Sequence, residues 1–390
     1  MAIDQKPLIY LNNAATSWPK PPGVLEAIKQ SILLPAFGSG RTTGTQGEDY
    51  ATQARERLSA FLGSESPENI AFTHSATDSL NILITGFLHR EKGECHVLTT
   101  ALDHNSVFRP LNEYAQQHRI RLDTIPFSGC HVLPVSVEAA IRPDTKLMVM
   151  THGSNVLGSV QDITTIGDIL HDHGIYFIVD GAQTAGHIPL SLRDLPVDAY
   201  VFTGHKGLLG VSGTGGFYIR DPGTVEPVRF GGTGTDSFSL LHPRGMPERF
   251  EIGTQNYPGL AALAAGVEFI RQNEMLSIAE KMEKQTAFLV SELKNEENIA
   301  VYNEHPDLPI IAFNIRGLQN DDVGFMLARG YNIVTRTGLH CAPLVHKAID
   351  RGAGCVRISH SWHTTDKECR IAADAIREIA RNADPSVGKA

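Results

Sequence analysis

The chain alternates short apolar runs with helix-type stretches, and this alternation limits its fold more than any other feature. The runs His96–Thr100, Lys146–Thr151, Tyr176–Asp180 and Tyr200–Thr203 read as strands, with helix-type segments such as Val107–His118 and Thr164–His173 between them. Nearly continuous apolar runs suit strands covered on both faces, as in a mainly parallel, doubly wound sheet. Such sheets bind ligands just beyond the carboxyl ends of their strands. Two runs deliver polar groups at that edge. Tyr176-Phe-Ile-Val-Asp180-Gly-Ala-Gln183 presents a carboxylate and an amide. Tyr200-Val-Phe-Thr-Gly-His205-Lys206-Gly207 presents an imidazole and an amine between glycines.

An acid and a lysine at neighbouring strand ends are what a pyridoxal phosphate (PLP) site needs. The lysine forms a Schiff base with the cofactor aldehyde, and the acid keeps the pyridine nitrogen protonated so that the ring accepts electrons. The competing reading is a surface lysine and an aspartate capping a helix. Other strand ends add polar groups. In Thr73-His-Ser-Ala76-Thr77-Asp78, small residues at a helix start offer backbone N–H groups to a phosphate; the same residues also suit an ordinary cap through Ser75 or Thr77. His104 is placed to lie flat over a cofactor ring, or is a helix-start histidine at the surface. Asn155 is placed to reach a ring oxygen or a substrate carboxylate.

At 390 residues the chain is long enough for two lobes. A helical pattern from about Leu260 to Asn295 follows a Gly/Pro-rich segment and leads to a second lobe. That lobe holds strands near Ile310–Asn314 and Val356–Ser359 and a closing helix from Thr365 to about Asn382. The division expected is 16–265 for the large lobe, with 1–15 and 266–390 forming the small one. A net charge of -9 without any basic block argues against nucleic acid or an anionic membrane surface as the main partner. No apolar run is long enough to span a membrane, and no signal peptide is evident. Five scattered cysteines without a CxxC pair suit a reducing cytosol, so a cytoplasmic location is expected. The spacings of His340, Cys341, His346, Cys355, His360 and His363 match no standard zinc pattern, so no metal is expected.

The ordered motifs resemble one family. Ala-Thr-Asp, Asp-His, Ser-Asn-Val-Leu-Gly, Val-Asp-Gly-Ala-Gln and Thr-Gly-His-Lys-Gly occur in the order of the class V, fold-type I PLP enzymes. Tyr10-Leu-Asn-Asn-Ala-Ala-Thr16, Arg249-Phe-Glu-Ile-Gly253-Thr254 and above all Thr335-Arg336-Thr-Gly338-Leu-His340-Cys341-Ala-Pro343 are similar to the cysteine desulfurase and selenocysteine lyase branch. The resemblance runs from about Leu11 to Asp366. It implies an α/β fold with a large doubly wound, mainly parallel sheet domain and a smaller α+β domain. It also implies roles at matching positions. Lys206 is the Schiff-base lysine, Asp180 pairs with the pyridine nitrogen, Gln183 with the ring hydroxyl, and His104 stacks on the ring. Ala76, Thr77, Thr203 and His205 hold the phosphate, with Thr254 reaching it from the neighbouring subunit of a homodimer. Arg357 clamps the substrate carboxylate, with Asn155 beside it.

Cys341 resembles the cysteine that removes sulfur from the substrate. It needs a thiolate near neutral pH, which Arg336 and His340 are placed to favour. Gly338 and Pro343 suit a mobile, exposed loop around it. The function implied is a desulfurase that converts L-cysteine to L-alanine and leaves a persulfide on Cys341 for an acceptor protein. A selenocysteine lyase acting on L-selenocysteine, another class V β-lyase or aminotransferase that does not need Cys341, and a catalytically silent sulfur-relay subunit are the alternatives. Two segments depart from the family pattern at the expected substrate pocket. Thr42–Glu48 lacks a histidine that many relatives carry, and Ser359-His360-Ser-Trp362-His363 replaces a small or apolar continuation.

Overall fold

A computed structural model describes residues 7–33, 49–235 and 237–383. Thr42–Glu48 and the tail 384–390 lie outside the described residues. The chain begins with strand β1 (Ile9–Tyr10) and helices α1 (Pro22–Leu33) and α2 (Tyr50–Leu62). Next come β2 (Ile70–Thr73), α3 (Ala76–Leu88), β3 (Cys95–Thr100), α4 (Asn105–Gln116), β4 (Ile120–Ile125), α5 (Pro134–Ala140), β5 (Thr145–Thr151), α6 (Ile163–Asp172), β6 (Tyr176–Asp180), β7 (Ala199–Thr203) and β8 (Gly215–Ile219). The strands from β2 to β8 form one seven-stranded sheet in the order β2-β8-β7-β6-β5-β3-β4. The pairs among β3, β4, β5, β6 and β7 are parallel, and β8 runs antiparallel to both neighbours.

Alternation along each strand explains the two-sided cover. Met148, Met150, Phe177, Val179, Tyr200 and Phe202 pack in the apolar cluster on one side. Their sequence neighbours Leu147, Val149, Ile178, Ala199 and Val201 pack in the cluster on the other. Successive side chains point to opposite faces, so a strand buried on both must be apolar throughout.

The remainder comprises α7 (Tyr257–Gln272), α8 (Met275–Lys294), β9 (Ile299–Val301), β10 (Ile310–Ile315), α9 (Asn320–Tyr331), β11 (Ile333–Val334), β12 (Arg336–Gly338), α10 (Pro343–Ile349), β13 (Cys355–Ser359) and α11 (Asp366–Asn382). Four of these strands form an antiparallel sheet, β12-β13-β10-β9, and β1 pairs in parallel with β11. Thr365 caps α11 through a reciprocal pair of bonds with Glu368.

Two expectations need correction. The helical pattern 260–295 is not one helix. It breaks between α7 and α8, where Asn273 caps the first and Glu274 takes a left-handed φ of 52°. A residue in that region cannot continue a right-handed helix, and apolar periodicity does not register it. The sequence reading also left out β4 and β8. β4 reads Ile-Arg-Leu-Asp-Thr-Ile because it lies at the sheet edge, and two glycines dilute the apolar character of β8.

A buried ion pair fixes the segment that precedes Thr254. Arg55 of α2 donates to both oxygens of Glu251, at 2.8 and 3.0 Å. Glu251 also accepts from the backbone N–H of Phe72 on β2 at 2.7 Å. Removing one partner leaves a buried charge uncompensated, at a cost of about 3–5 kcal/mol. Arg55→Ala is therefore expected to destabilise the chain by about that amount. Urea unfolding followed by circular dichroism measures it, with Arg57→Ala on the same helix as the control.

Candidate active site

The carboxyl ends of β5, β6 and β7 open onto a cavity of about 230 Å3. Its lining includes every residue nominated from the sequence except Cys341 and Thr254. Asp180 ends β6 and accepts from the Ala182 N–H at 3.0 Å. Gly181 permits this turn, because a Cβ there would stand 2.1 Å from the Tyr200 ring. Burial pushes the Asp180 carboxyl above its ordinary range, while the Ala182 N–H and the Lys206 charge pull it back. Burial brings the Lys206 ammonium down to about 8, opposed by Asp180. The Lys206 side-chain amine has no hydrogen-bond or ion-pair partner among the described residues. Such an amine is neutral often enough near physiological pH to act as nucleophile or base.

His104 caps α4. Its Nδ1 accepts from the Ser106 N–H at 3.1 Å, which places the neutral ring's proton on Nε2. Burial first, and then the Lys206 charge, holds His104 down to about 4, so it is an uncharged ring at neutral pH. The preceding residue, Asp103, was missed by the sequence reading. It is fully buried and accepts from Thr100 N at 2.7 Å, Thr99 Oγ1 at 2.9 Å and Thr151 N at 2.6 Å. It ties the ends of β3 and β5 together under His104. The Asp-His dipeptide was the only available signal.

Four observations test whether PLP fits this cavity. Gln183 donates through Nε2 to the Ala14 carbonyl at 3.1 Å, leaving its buried Oε1 without a donor where a ring hydroxyl would supply one. His205 Nδ1 is likewise buried and unpartnered. Ser75 caps α3 by accepting from Asp78 N, as the ordinary reading foresaw, yet the amides of Ala76 and Thr77 find no acceptor among the described residues. A helix start with open amides favours a phosphate. Lys206 supplies the unpaired amine. The residues therefore fit the group, with Thr203 beside His205 on the phosphate side of the lining.

Arg357 on β13 is only 1% exposed. It donates through Nη1 to the Asn155 carbonyl at 2.7 Å and through Nη2 to Asn12 Oδ1 at 3.3 Å, and its buried Nε has no partner. Arg336 on β12 stands directly across from it in register. Neither arginine forms an ion pair among the described residues. Two like charges face to face in a buried place are costly unless an anion joins them. The two guanidiniums on this wall of the cavity are chemically suited to an anion such as a carboxylate.

Cys341 is half-buried and stands one contact behind the lining. Arg336 Nη2 donates to its Sγ at 3.7 Å. His340 and Cys341 both take left-handed backbone angles, φ 49° and 59°. Each costs about 1–2 kcal/mol, so the turn must be held. It is held at both carbonyls: Asn155 Nδ2 donates to His340 O at 2.7 Å, and Asn105 N donates to Cys341 O at 2.8 Å. The turn thus has two backbone tethers where a mobile loop was expected. It also gives Asn155 a second duty, since its amide nitrogen is engaged by the turn and not only by the cavity.

Two further placements differ from expectation. His340 does not assist the thiol, because its Nε2 faces the Cys355 carbonyl at 3.2 Å and burial brings the ring down to about 2. His360 and Trp362 do not shape the substrate pocket. His360 Nε2 faces the Met282 carbonyl at 3.0 Å, and Trp362 packs on Phe269 with ring centres 4.7 Å apart, so both point toward α7 and α8. Thr254 is exposed and lines two surface clefts.

The arrangement has counterparts among known proteins. The aminotransferase class-V family model matches residues 9–371. A probable cysteine desulfurase of Methanothermobacter thermautotrophicus is 31% identical over 389 residues, 95% of this chain and 94% of the relative. A cysteine desulfurase of Shigella flexneri is 28% identical, covering 97% of this chain and 95% of the relative. The solved apo structure of a cysteine desulfurase from Thermococcus onnurineus superposes with a TM-score of 0.87 at 29% identity, over 98% of this chain and all of that one (100%). The strand-end acid and lysine, the open helix start and these likenesses agree: the chain belongs to the class V aminotransferase family, whose members depend on pyridoxal phosphate.

Proposed function

We propose that the chain is a PLP-dependent cysteine desulfurase that takes sulfur from L-cysteine onto Cys341 and releases L-alanine. One observation carries this reading: the Cys341 thiol sits against Arg336, which stands across from Arg357 in register and lines with it the cavity built around Lys206. A carboxylate held there presents the amino acid's side chain toward the thiol.

The bound cofactor supplies an electron sink for charge developing at the substrate Cα. The chain's own residues do the rest. Arg357, with one nitrogen free, fixes the substrate carboxylate. Lys206, brought down to about 8, removes the Cα proton and returns a proton later. Asp180 offers a buried counter-charge to the ring nitrogen, and uncharged His104 covers the ring without repelling it. The guanidinium of Arg336 lies against the Cys341 sulfur. The thiolate attacks the substrate sulfur, the C–S bond breaks with its electron pair going to carbon, and the sulfur stays on Cys341 as a persulfide. Protonation of the carbon gives alanine. A thiol-bearing acceptor protein then collects the sulfur.

Each site is proposed to need two chains, with Thr254 reaching the partner's phosphate. Support comes from the segment before it, where Phe238, Leu240 and Leu241 are 100%, 102% and 81% exposed. Fully bared apolar side chains in one segment suit a covered interface. The same reading divides the chain into a cofactor lobe, 16–265, and a smaller lobe, 1–15 with 266–390. In support, Ile9 and Leu11 pack in one cluster with Leu289, Phe313, Ile358 and Ile376.

Three outcomes are expected. Cys341→Ser loses alanine production from L-cysteine by about a thousandfold or more while keeping the absorbance of bound cofactor. Near wild-type alanine output would transfer the reading to a lyase, and turnover of L-selenocysteine by the variant distinguishes that case. The rate of PLP uptake by the cofactor-free chain rises with pH, roughly tenfold between pH 7 and 9, with a midpoint near the Lys206 value of about 8. The sign follows from the lowered pKa: the neutral, nucleophilic amine accumulates as pH climbs through it. Stopped-flow absorbance measures the rate, and Lys206→Ala removes covalent attachment. Finally, sedimentation gives a dimer, and Leu240→Ser with Leu241→Ser weakens it and lowers activity in step with dissociation.

A further inference from the structure

Behind Cys341 lies a cluster that the reaction does not use. His340 from the turn, His346 from α10 and Cys355 from β13 each bring one ligand atom within 4.8 Å of the other two. All three are buried, at 2%, 0% and 0% exposure. His346 Nδ1 faces Asp350 Oδ2 at 2.6 Å, while its Nε2 is buried without a partner. His340 has Nε2 against the Cys355 carbonyl and Nδ1 without a partner. Cys355 Sγ lies 3.5 Å from His340 Nε2 and has no other polar contact among the described residues.

We propose that His340, His346 and Cys355 bind one transition-metal ion of the zinc class, and that this ion locks the Cys341 turn onto β13. The donor set is two imidazoles and a thiol, which suits zinc. With bond lengths of about 2.0–2.1 Å to nitrogen and 2.3 Å to sulfur, a tetrahedral zinc site separates N from S by about 3.6 Å. The observed 3.5 Å matches that edge. Asp350 is already held in the outer position of a metal-bound histidine. Its Oδ2 takes the Nδ1 proton of His346, and its Oδ1 accepts from Gly352 N at 3.0 Å. A carboxylate on the far nitrogen orients the ring and leaves the other lone pair for the ion. Without an ion, His346 Nε2 is buried without a partner, which proteins seldom tolerate; His340 would ligate through Nε2, its ring proton moving to Nδ1 and its contact with the Cys355 carbonyl giving way to the ion. Burial raises the Cys355 thiol and lowers the His340 imidazole, so the ion would displace a proton from sulfur on binding. The fourth position falls to a water molecule. The ion would join a strained turn, a helix and the strand carrying Arg357.

The cofactor-loaded protein, stripped with a chelator and titrated with Zn2+ against a chromogenic competitor, tests this. The wild type is expected to bind one equivalent per chain and to release a proton at neutral pH. Cys355→Ser and His346→Gln each weaken binding by at least about a hundredfold, and Asp350→Asn by about 10–100-fold. Cys341→Ser binds as the wild type does. Titration of the wild type with Co2+ provides a readout independent of any variant: a thiolate-to-metal charge-transfer band is expected. Absence of that band, or zinc binding lost in Cys341→Ser but kept in Cys355→Ser, overturns the proposal. Neither result depends on desulfurase turnover.

Discussion

A guanidinium buried among neutral groups is the constraint on which the site depends. Arg357 has no acid beside it; the Asn155 carbonyl and the Asn12 side chain hold it at the cavity wall. A salt bridge inside the chain would satisfy the charge and close the site to anions. Neutral acceptors orient the guanidinium without neutralising it, so its charge stays available. Arg336 in register beside it doubles the deficit. The cost in stability is large by the standards of a folded domain, and the surrounding sheet and N-terminal segment must offset it.

That N-terminal segment works as a strap across the two sheets. Asn13 donates through Nδ2 to Ser359 O at 2.9 Å, and Ala14 N donates to Ser359 Oγ at 2.9 Å, at the end of β13. A few residues later, Thr16, Ser17 and Lys20 all donate to the His205 carbonyl, next to Lys206. One short stretch therefore links the end of β13, which carries Arg357, to the backbone beside Lys206. Relative movement of the sheets would have to break these bonds together.

Much of this was legible in the sequence. Asp180, Gln183 and Lys206 announce themselves because apolar strands end abruptly in polar residues, and a parallel sheet gathers those ends along one edge. The class V likeness and the α/β fold follow from the same ordered motifs. Contacts set by three-dimensional packing were not legible. Nothing local shows that Asn155 would turn its amide toward the Cys341 turn, or that His360 would face α8 instead of the pocket. Asp103 hides because a buried aspartate serving backbone amides looks like any loop aspartate. Spacing along the chain also gave no sign that His340, His346 and Cys355 meet, since a turn, a helix and a strand bring them together.

The anchored turn has a consequence for how sulfur leaves. A long mobile loop would swing a charged sulfur outward and deliver it at a distance. Here both carbonyls flanking the Cys341 backbone are tethered, and the left-handed angles leave little slack. The terminal sulfur stays within a side chain's length of its position in the resting fold. On the proposed function, an acceptor would have to bring its own thiol to the sulfur at this turn.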